Sequence, residues 1–425
     1  MNLNNVKMSI ELTLAYRYFQ EALAICNRDK SRLWGNSLYG PMLLVDPKTR
    51  MIVANQSDQE GNLVKKGEVF VGWLPEEENI ANTATIWAGV KWTMIVWPLP
   101  ENRYERAQLM VHELFHRIQD KLGLWWPSTE SISNAHLDSL EGRIWLQLEW
   151  RALSSALTRH GVERRRIVED ALIFRSYRRE LFPEAELEEH LLEMLEGLAE
   201  YTGIKLRGST SPETVEYLLK RLEDAKNWPT FVRSFFYLSG PLYGILLDET
   251  RADWRKDLKS EDDLGLLLQK SLSIQLPENL KDEAEKRSKN YECDALWAPE
   301  TQREKNRRNR MAEYRARLVE GPVLILPLTG RVNYAFDTSN LLPLEGHGTV
   351  CPTLRMTAAW GILNVSKGAL MTREDRGTSK VHVRAPADLN LRPLQGDGWT
   401  LELNTGWKVE PGERKGDYLL KKEES

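Results

Sequence analysis

The stretch VHELFHRIQD, Val111 to Asp120, sets two histidines four residues apart with a glutamate directly after the first. On a helix, residues i and i+4 project from one side, one above the other. His112 and His116 can therefore offer two imidazole nitrogens to one tetrahedral ion, and Zn2+ takes such nitrogens at about 2.0–2.1 Å. Glu113 stands about 100° further round the helix, beside that ion but outside the histidines' geometry. There it can take a proton from a metal-activated water and deliver it to a leaving amine. Val111, Leu114, Phe115 and Ile118 form the face that packs into the core. The helix has one wall for stability and one for chemistry. The plainer account, two surface histidines and a solvated glutamate, loses ground because the motif is mid-helix and follows a Trp-rich strand segment. A strand followed by such a helix is a layout in which an edge strand can hold an extended substrate beside a metal.

This pattern resembles the HExxH metallopeptidases. The metzincin subgroup places a third histidine six residues beyond the motif, where this chain has Leu122, and the downstream signature of the aspartate-ligand subgroup is not found. The segment LEGLAEYTG, Leu195 to Gly203, is similar to the glutamate motif of the gluzincins, the thermolysin-like and aminopeptidase-like group. That resemblance implies Glu196 as the third ligand, with Gly197 and Ala199 small enough for two helices to approach. Read by periodicity alone, PEAELEEHLLEMLEGLAEY has an apolar arc of Leu187, Leu191, Leu195 and Leu198. Glu196 sits at its border, and Glu189, Glu193 and Glu200 fall further round, as a solvated acidic face would. The rival ligand is Glu149 in LEGRIWLQLEWRALSSAL, in one row with Glu141 and Trp145. It follows His116 by 33 residues, nearer the common gluzincin spacing than the 80 residues to Glu196. If it is not a ligand, Glu149 could instead orient a histidine. Which glutamate completes the site stays open at this point.

Gluzincins also carry a tyrosine or histidine that steadies the oxyanion of the tetrahedral intermediate. In FFYLSGPLYGILLDE the resemblance offers Tyr237 and Tyr243, with Tyr243 slightly preferred; buried aromatics with satisfied hydroxyls are an equal alternative. His136, His347 and His382 read as isolated loop, turn or strand residues. No GxMxN-type exopeptidase signature accompanies the edge-strand candidate.

The elements that must position these residues follow from pattern. Residues 8 to 27 read as an amphipathic helix, and GPMLLVD, RMIVANQ, EVFVGWLP and WAGVKWTMIVWPLP as strands, the first two joined through Pro47-Lys48-Thr49. From Asn102 the spacing turns helical and stops at Gly123. Residues 135 to 275 read as helices broken at Pro183, Gly203, Trp228-Pro229 and Gly240-Pro241. The charged stretch 278–318 reads as a solvated helical connector. After Gly321, PVLILPL, GTVCPTLRMT, WGILNVS, SKVHVRA, WTLELNT and DYLLKK read as strands.

The fold class expected is α+β: a small N-terminal β-sheet, a mainly helical zincin-like catalytic region, then a C-terminal all-β domain. The expected boundaries are 1–100, 101–277, a connector at 278–320, and 321–425. Composition fits such a chain: of its 425 residues 41% are hydrophobic and 28% charged, as in ordinary globular proteins. A net charge of −4, with acidic residues mixed among the basic ones of 278–318, gives no reason to expect nucleic acid. Cys26, Cys293 and Cys351 are far apart and odd in number, which argues against a disulfide framework and a cysteine metal site. No apolar run is long enough to span a bilayer. No signal peptide is visible, so a cytoplasmic location is the default expectation. Oligomeric state is left open. The reading is a zinc metallopeptidase-like hydrolase acting on a peptide or protein, with Glu113 as general base. The alternative is a non-catalytic protein that keeps the scaffold and holds zinc structurally, against which the intact Glu113 weighs.

Overall fold

Helix α1 (Leu12–Asp29) buries Ala15, Phe19, Ala22, Ile25 and Cys26, a stripe at helical spacing. Six strands follow: β1 (Met42–Val45), β2 (Met51–Ala54), β3 (Val64–Lys66), β4 (Val69–Trp73), β5 (Thr83–Trp87) and β6 (Val90–Val96). The computed structural model describes residues 8–124, 134–250, 253–330, 332–337, 340–344, 346–373 and 379–423. β1 and β2 form the expected hairpin, Leu44 opposite Val53. Asp46 builds its turn: one carboxylate oxygen accepts from the Lys48 amide at 2.9 Å, the other from the Thr49 hydroxyl at 2.8 Å. The sheet order is β3-β4-β2-β1-β6-β5, with β6 parallel to β1 and β5 antiparallel to β6. β5 is therefore an open edge. Leu43, Val45, Ile52, Ala54, Trp92 and Met94 belong to one buried cluster on this sheet.

The helical region comprises α2 (Arg103–Ile118), α3 (Leu140–Ala156), α4 (Gly161–Leu181), α5 (Ala185–Leu192), α6 (Leu198–Leu206), α7 (Ser211–Ala225), α8 (Phe236–Thr250), α9 (Leu264–Ser271), α10 (Leu280–Ser288) and α11 (Asp294–Arg315). Between α5 and α6 the chain makes one π-helical turn, Glu193–Gly197. Gly203 and Gly240-Pro241 were expected as breaks, yet both lie inside helices, in α6 and α8. Their role is close packing. A Cβ on Gly203 would stand 2.7 Å from the Gln108 carbonyl oxygen, and one on Gly240 only 2.4 Å from the Gly197 Cα.

The C-terminal region holds β7 (Val323–Leu328), β8 (Asn333–Phe336), β9 (Leu342–Leu344), β10 (Gly348–Cys351), β11 (Leu354–Ala358), β12 (Gly361–Val365), β13 (Ala369–Arg373), β14 (Ser379–Arg384), β15 (Leu394–Gly396), β16 (Trp399–Leu403), β17 (Trp407–Pro411) and β18 (Tyr418–Lys422). They form a seven-stranded sheet, β17-β18-β7-β14-β13-β10-β9, and a five-stranded one, β15-β16-β12-β11-β8. Leu324, Leu326, Val381 and Val383 of the first share a core with Met356, Leu363, Trp399 and Leu401 of the second. GTVCPTLRMT was expected as one strand but is two, β10 and β11, in different sheets. Pro352 divides them, since it has no N–H to continue a ladder.

The N-terminal sheet, central helices and C-terminal strands make an α+β chain. It divides into two compact units: Met1–Asn134, Ile144–Asn227 and Ser234–Cys293 form one, and Ala135–Arg143, Trp228–Arg233 and Asp294–Ser425 the other. The three cysteines are buried and free. Among the described residues no helix is long and apolar enough to cross a membrane.

Candidate metal centre

Helix α2 starts cleanly because the Asn102 side chain accepts from the Tyr104 amide at 2.8 Å and the Glu105 amide at 3.3 Å. It packs against β5, β6 and α6, burying Val111, Leu114, Phe115 and Ile118. That leaves His112 facing Glu200 of α6 and His116 facing Glu196 of the π-helical turn.

Three ligand atoms meet there. The Nε2 atoms of His112 and His116 stand 3.1 Å apart, and Glu196 Oε2 lies 3.5 Å from the first and 3.2 Å from the second. Ligand atoms about 2.0–2.1 Å from a tetrahedral centre lie about 3.3–3.4 Å from one another. The observed triangle has nearly the edges that a zinc tetrahedron requires. His112, His116 and Glu196 are also the group of potential metal ligands that the described residues bring within 4.8 Å of one another.

Both imidazoles are held by their other nitrogen. His112 Nδ1 is 3.0 Å from Glu200 Oε2, and His116 Nδ1 is 2.7 Å from Gln119 Oε1. A carboxylate and an amide oxygen only accept, so each Nδ1 carries a proton and donates it, leaving the Nε2 lone pairs to the centre. The Gln119 amide cannot turn round without loss, because its Nε2 donates to the Leu195 carbonyl at 2.7 Å. Glu200 is fixed in turn by Gln108 Nε2 at 2.7 Å and Arg221 Nη1 at 2.9 Å.

Glu113 is buried, and its Oε2 has no hydrogen-bond partner among the described residues. A buried carboxylate oxygen without a donor is costly, and a water or substrate N–H at the centre would supply one. Among the described residues no lysine or arginine pairs with Glu113 or Glu196. Two carboxylates with two neutral imidazoles carry a charge that a divalent cation balances. The protons respond to the same field. Burial pushes the His112 imidazolium down, but its hydrogen bonds to the Glu196 and Glu200 carboxylates raise its pKa well above the ordinary histidine value. His116 is raised too, burial being outweighed by the Glu196 charge. Burial would raise Glu196, yet His116 and His112 hold it well below the carboxylate range. Glu113 goes the other way: burial raises it, against the pull of the two histidines.

Glu149 is elsewhere. It lies fully buried among arginines, with Oε1 accepting from Arg175 at 3.1 Å and Oε2 from Arg178 at 2.6 Å. The histidine-orienting part considered for it is taken by Glu200. Tyr243 is with Glu149, donating its hydroxyl to Oε1 at 2.7 Å, so it is not the tyrosine beside the histidines. That is Tyr237, whose ring centroid is 6.3 Å from that of His112 and whose hydroxyl is pushed up by burial and then by Glu196 and Glu200. The face expected to be solvated is not. Glu189, Glu193 and Glu200 are buried, while Leu187, placed in the apolar arc, is 46% exposed. The arginines of α4 supply the counter-charges for Glu189 and Glu193, and Arg221 of α7 that for Glu200, none of which a helical projection of this segment alone can show.

Glu200, Gln119 and Tyr237 are the functional candidates that residue patterns passed over or ranked second. Glu200 repeats after Glu196 the i+4 step that separates the two histidines, and Gln119 is i+3 from His116; both spacings were available as signals. No known family model, curated protein or solved structure matches the chain.

Proposed function

We propose that the first unit is a zinc-dependent peptide hydrolase, with His112, His116 and Glu196 as metal ligands and Glu113 as general base. The carrying observation is the near-tetrahedral triangle of two Nε2 atoms and one carboxylate oxygen, with both Nδ1 protons tied back. Zinc bound there supplies a Lewis acid that lowers the pKa of a water and polarises a carbonyl. Glu113 takes the water's proton on its carboxylate and returns it to the leaving amine. Its burial raises its affinity for a proton, which makes the uptake step easier than it would be for an ordinary exposed glutamate. Glu200 and Gln119 hold the imidazoles in the tautomer that ligation needs. Tyr237, raised in pKa and therefore protonated at neutral pH, can donate to the oxygen on which negative charge develops.

A peptide substrate is favoured by β5. This strand is one of the two edges of the sheet, and α2 packs against it. An extended chain can add to such an edge through its backbone N–H and C=O groups.

The test is cleavage of a mixed peptide library by the zinc-loaded protein and by Glu113→Gln. The substitution should lower the cleavage rate by about 10²–10⁴-fold while leaving the zinc in place. Zinc without cleavage by the unsubstituted chain would instead support a structural metal site and sink the hydrolase reading.

A further inference from the structure

The third ligand stands on a backbone irregularity. In the turn Glu193–Gly197 the Leu198 amide reaches back to the Glu193 carbonyl, one residue further than an α-helix allows. The wider turn changes the phase between the residues before it and those after it. Two groups grip it. Gln119, fully buried at the end of α2, donates its Nε2 to the carbonyls of Leu195 (2.7 Å) and Met194 (3.4 Å). At its other end the same amide accepts from His116 Nδ1. Arg175 Nη1 and Nη2 bind Glu193, the first residue of the turn, in a two-pronged contact, and Arg175 is itself tied to Asp263 on the segment entering α9.

We propose that this π-helical turn, clamped by Gln119 and by the Arg175–Glu193 pair, is the element that sets the metal affinity of the centre. The proposal rests on the zinc reading and assigns Gln119 and Glu193 as positioning residues. Neither touches the metal. Gln119 couples the backbone under Glu196 to the ring of His116, so one side chain registers two ligands against each other. Glu193 fixes where the turn begins, and so the angle at which Glu196 leaves the helix.

The experiment measures zinc affinity by chelator competition and the visible spectrum of the cobalt(II)-substituted protein for four full-length chains. These are the unsubstituted protein, Gln119→Met, Glu193→Gln and, as control, Glu189→Gln. Glu189 belongs to the same buried arginine network but precedes the turn. Gln119→Met should weaken zinc binding about 10–100-fold and shift the cobalt bands. Glu193→Gln should move both readouts in the same direction, and Glu189→Gln should lower thermal stability without moving either. If Gln119→Met and Glu193→Gln keep the original affinity and spectrum, or Glu189→Gln shifts them as much as Glu193→Gln, the proposal is overturned. Should Gln119→Met fail to fold, Glu193→Gln against Glu189→Gln decides it alone. An unsubstituted chain that binds no zinc would overturn the metal reading and this proposal together.

Discussion

Glu189, Glu193, Glu196 and Glu200 recur at i, i+4, i+7 and i+11, yet the two ends of this row meet opposite company. The first pair faces Arg175, Arg178 and Arg179 of α4, together with Glu149 and Asp263. The second pair faces His112 and His116 of α2. At the arginine end the guanidiniums hold Asp263 far below its ordinary value against its burial, while burial still leaves Glu193 raised in spite of Arg175. At the histidine end Arg221 pairs with Glu200, but the groups facing Glu196 are weak bases that can give up their protons. On the zinc reading, buried carboxylates do two jobs along this row, and the partner decides which. Fixed cations make a lock, whereas titratable imidazoles would make a socket for a cation from solution.

The sharpest way to break this contrast is to disturb the lock and look for an effect on the socket. Arg178→Met leaves Glu149 and Glu189 buried without their shared guanidinium. It should cost about 3–5 kcal/mol of stability, read by chemical denaturation, while zinc per folded chain stays unchanged. Loss of zinc in that folded variant would mean that the Arg178 contacts, and not the Arg175–Glu193 pair alone, reach the centre.

The two tyrosines give a finer test, since Tyr237 stands at the socket and Tyr243 in the lock. Tyr237→Phe should slow turnover about 10²–10³-fold with zinc retained. Tyr243→Phe should leave turnover alone and cost about 1–3 kcal/mol, because Glu149 loses a buried donor. Equal effects on turnover would erase the distinction.

Proton competition sharpens it further. Both histidines have raised pKa values when no metal is bound. Their contribution to the stability of metal-free protein is therefore full below the unfolded value of about 6.5 and is lost as pH rises through the raised values. Zinc must displace those protons, so its affinity should climb with pH above 6.5, with proton release visible by calorimetry in buffers of different ionisation enthalpy. A flat affinity between pH 6 and 9 would count against a histidine site.

Much of this was legible beforehand. His112, Glu113 and His116 declared themselves by spacing, and the turn-flanked apolar runs marked the hairpin of β1 and β2. Glu196 was reached only through a resemblance, with Glu149 still standing, because spacing along the chain does not reveal which carboxylate comes near. What the sequence hid was charge pairing across helices. The arginines of IFRSYRREL carry no mark of burial, so Glu189 and Glu193 read as solvated, and nothing in EMLEG announces a π-helical turn. Tyr243, preferred over Tyr237, turns out to bond Glu149, a partner remote in sequence that spacing along the chain does not show.

The most direct test of the central claim is zinc per chain, measured by native mass spectrometry on the unsubstituted protein, Glu196→Gln and Glu149→Gln. One zinc in the unsubstituted chain and in folded Glu149→Gln, with the metal lost from Glu196→Gln, is the result predicted here. Zinc retained by Glu196→Gln, or absent from the unsubstituted protein, would contradict it.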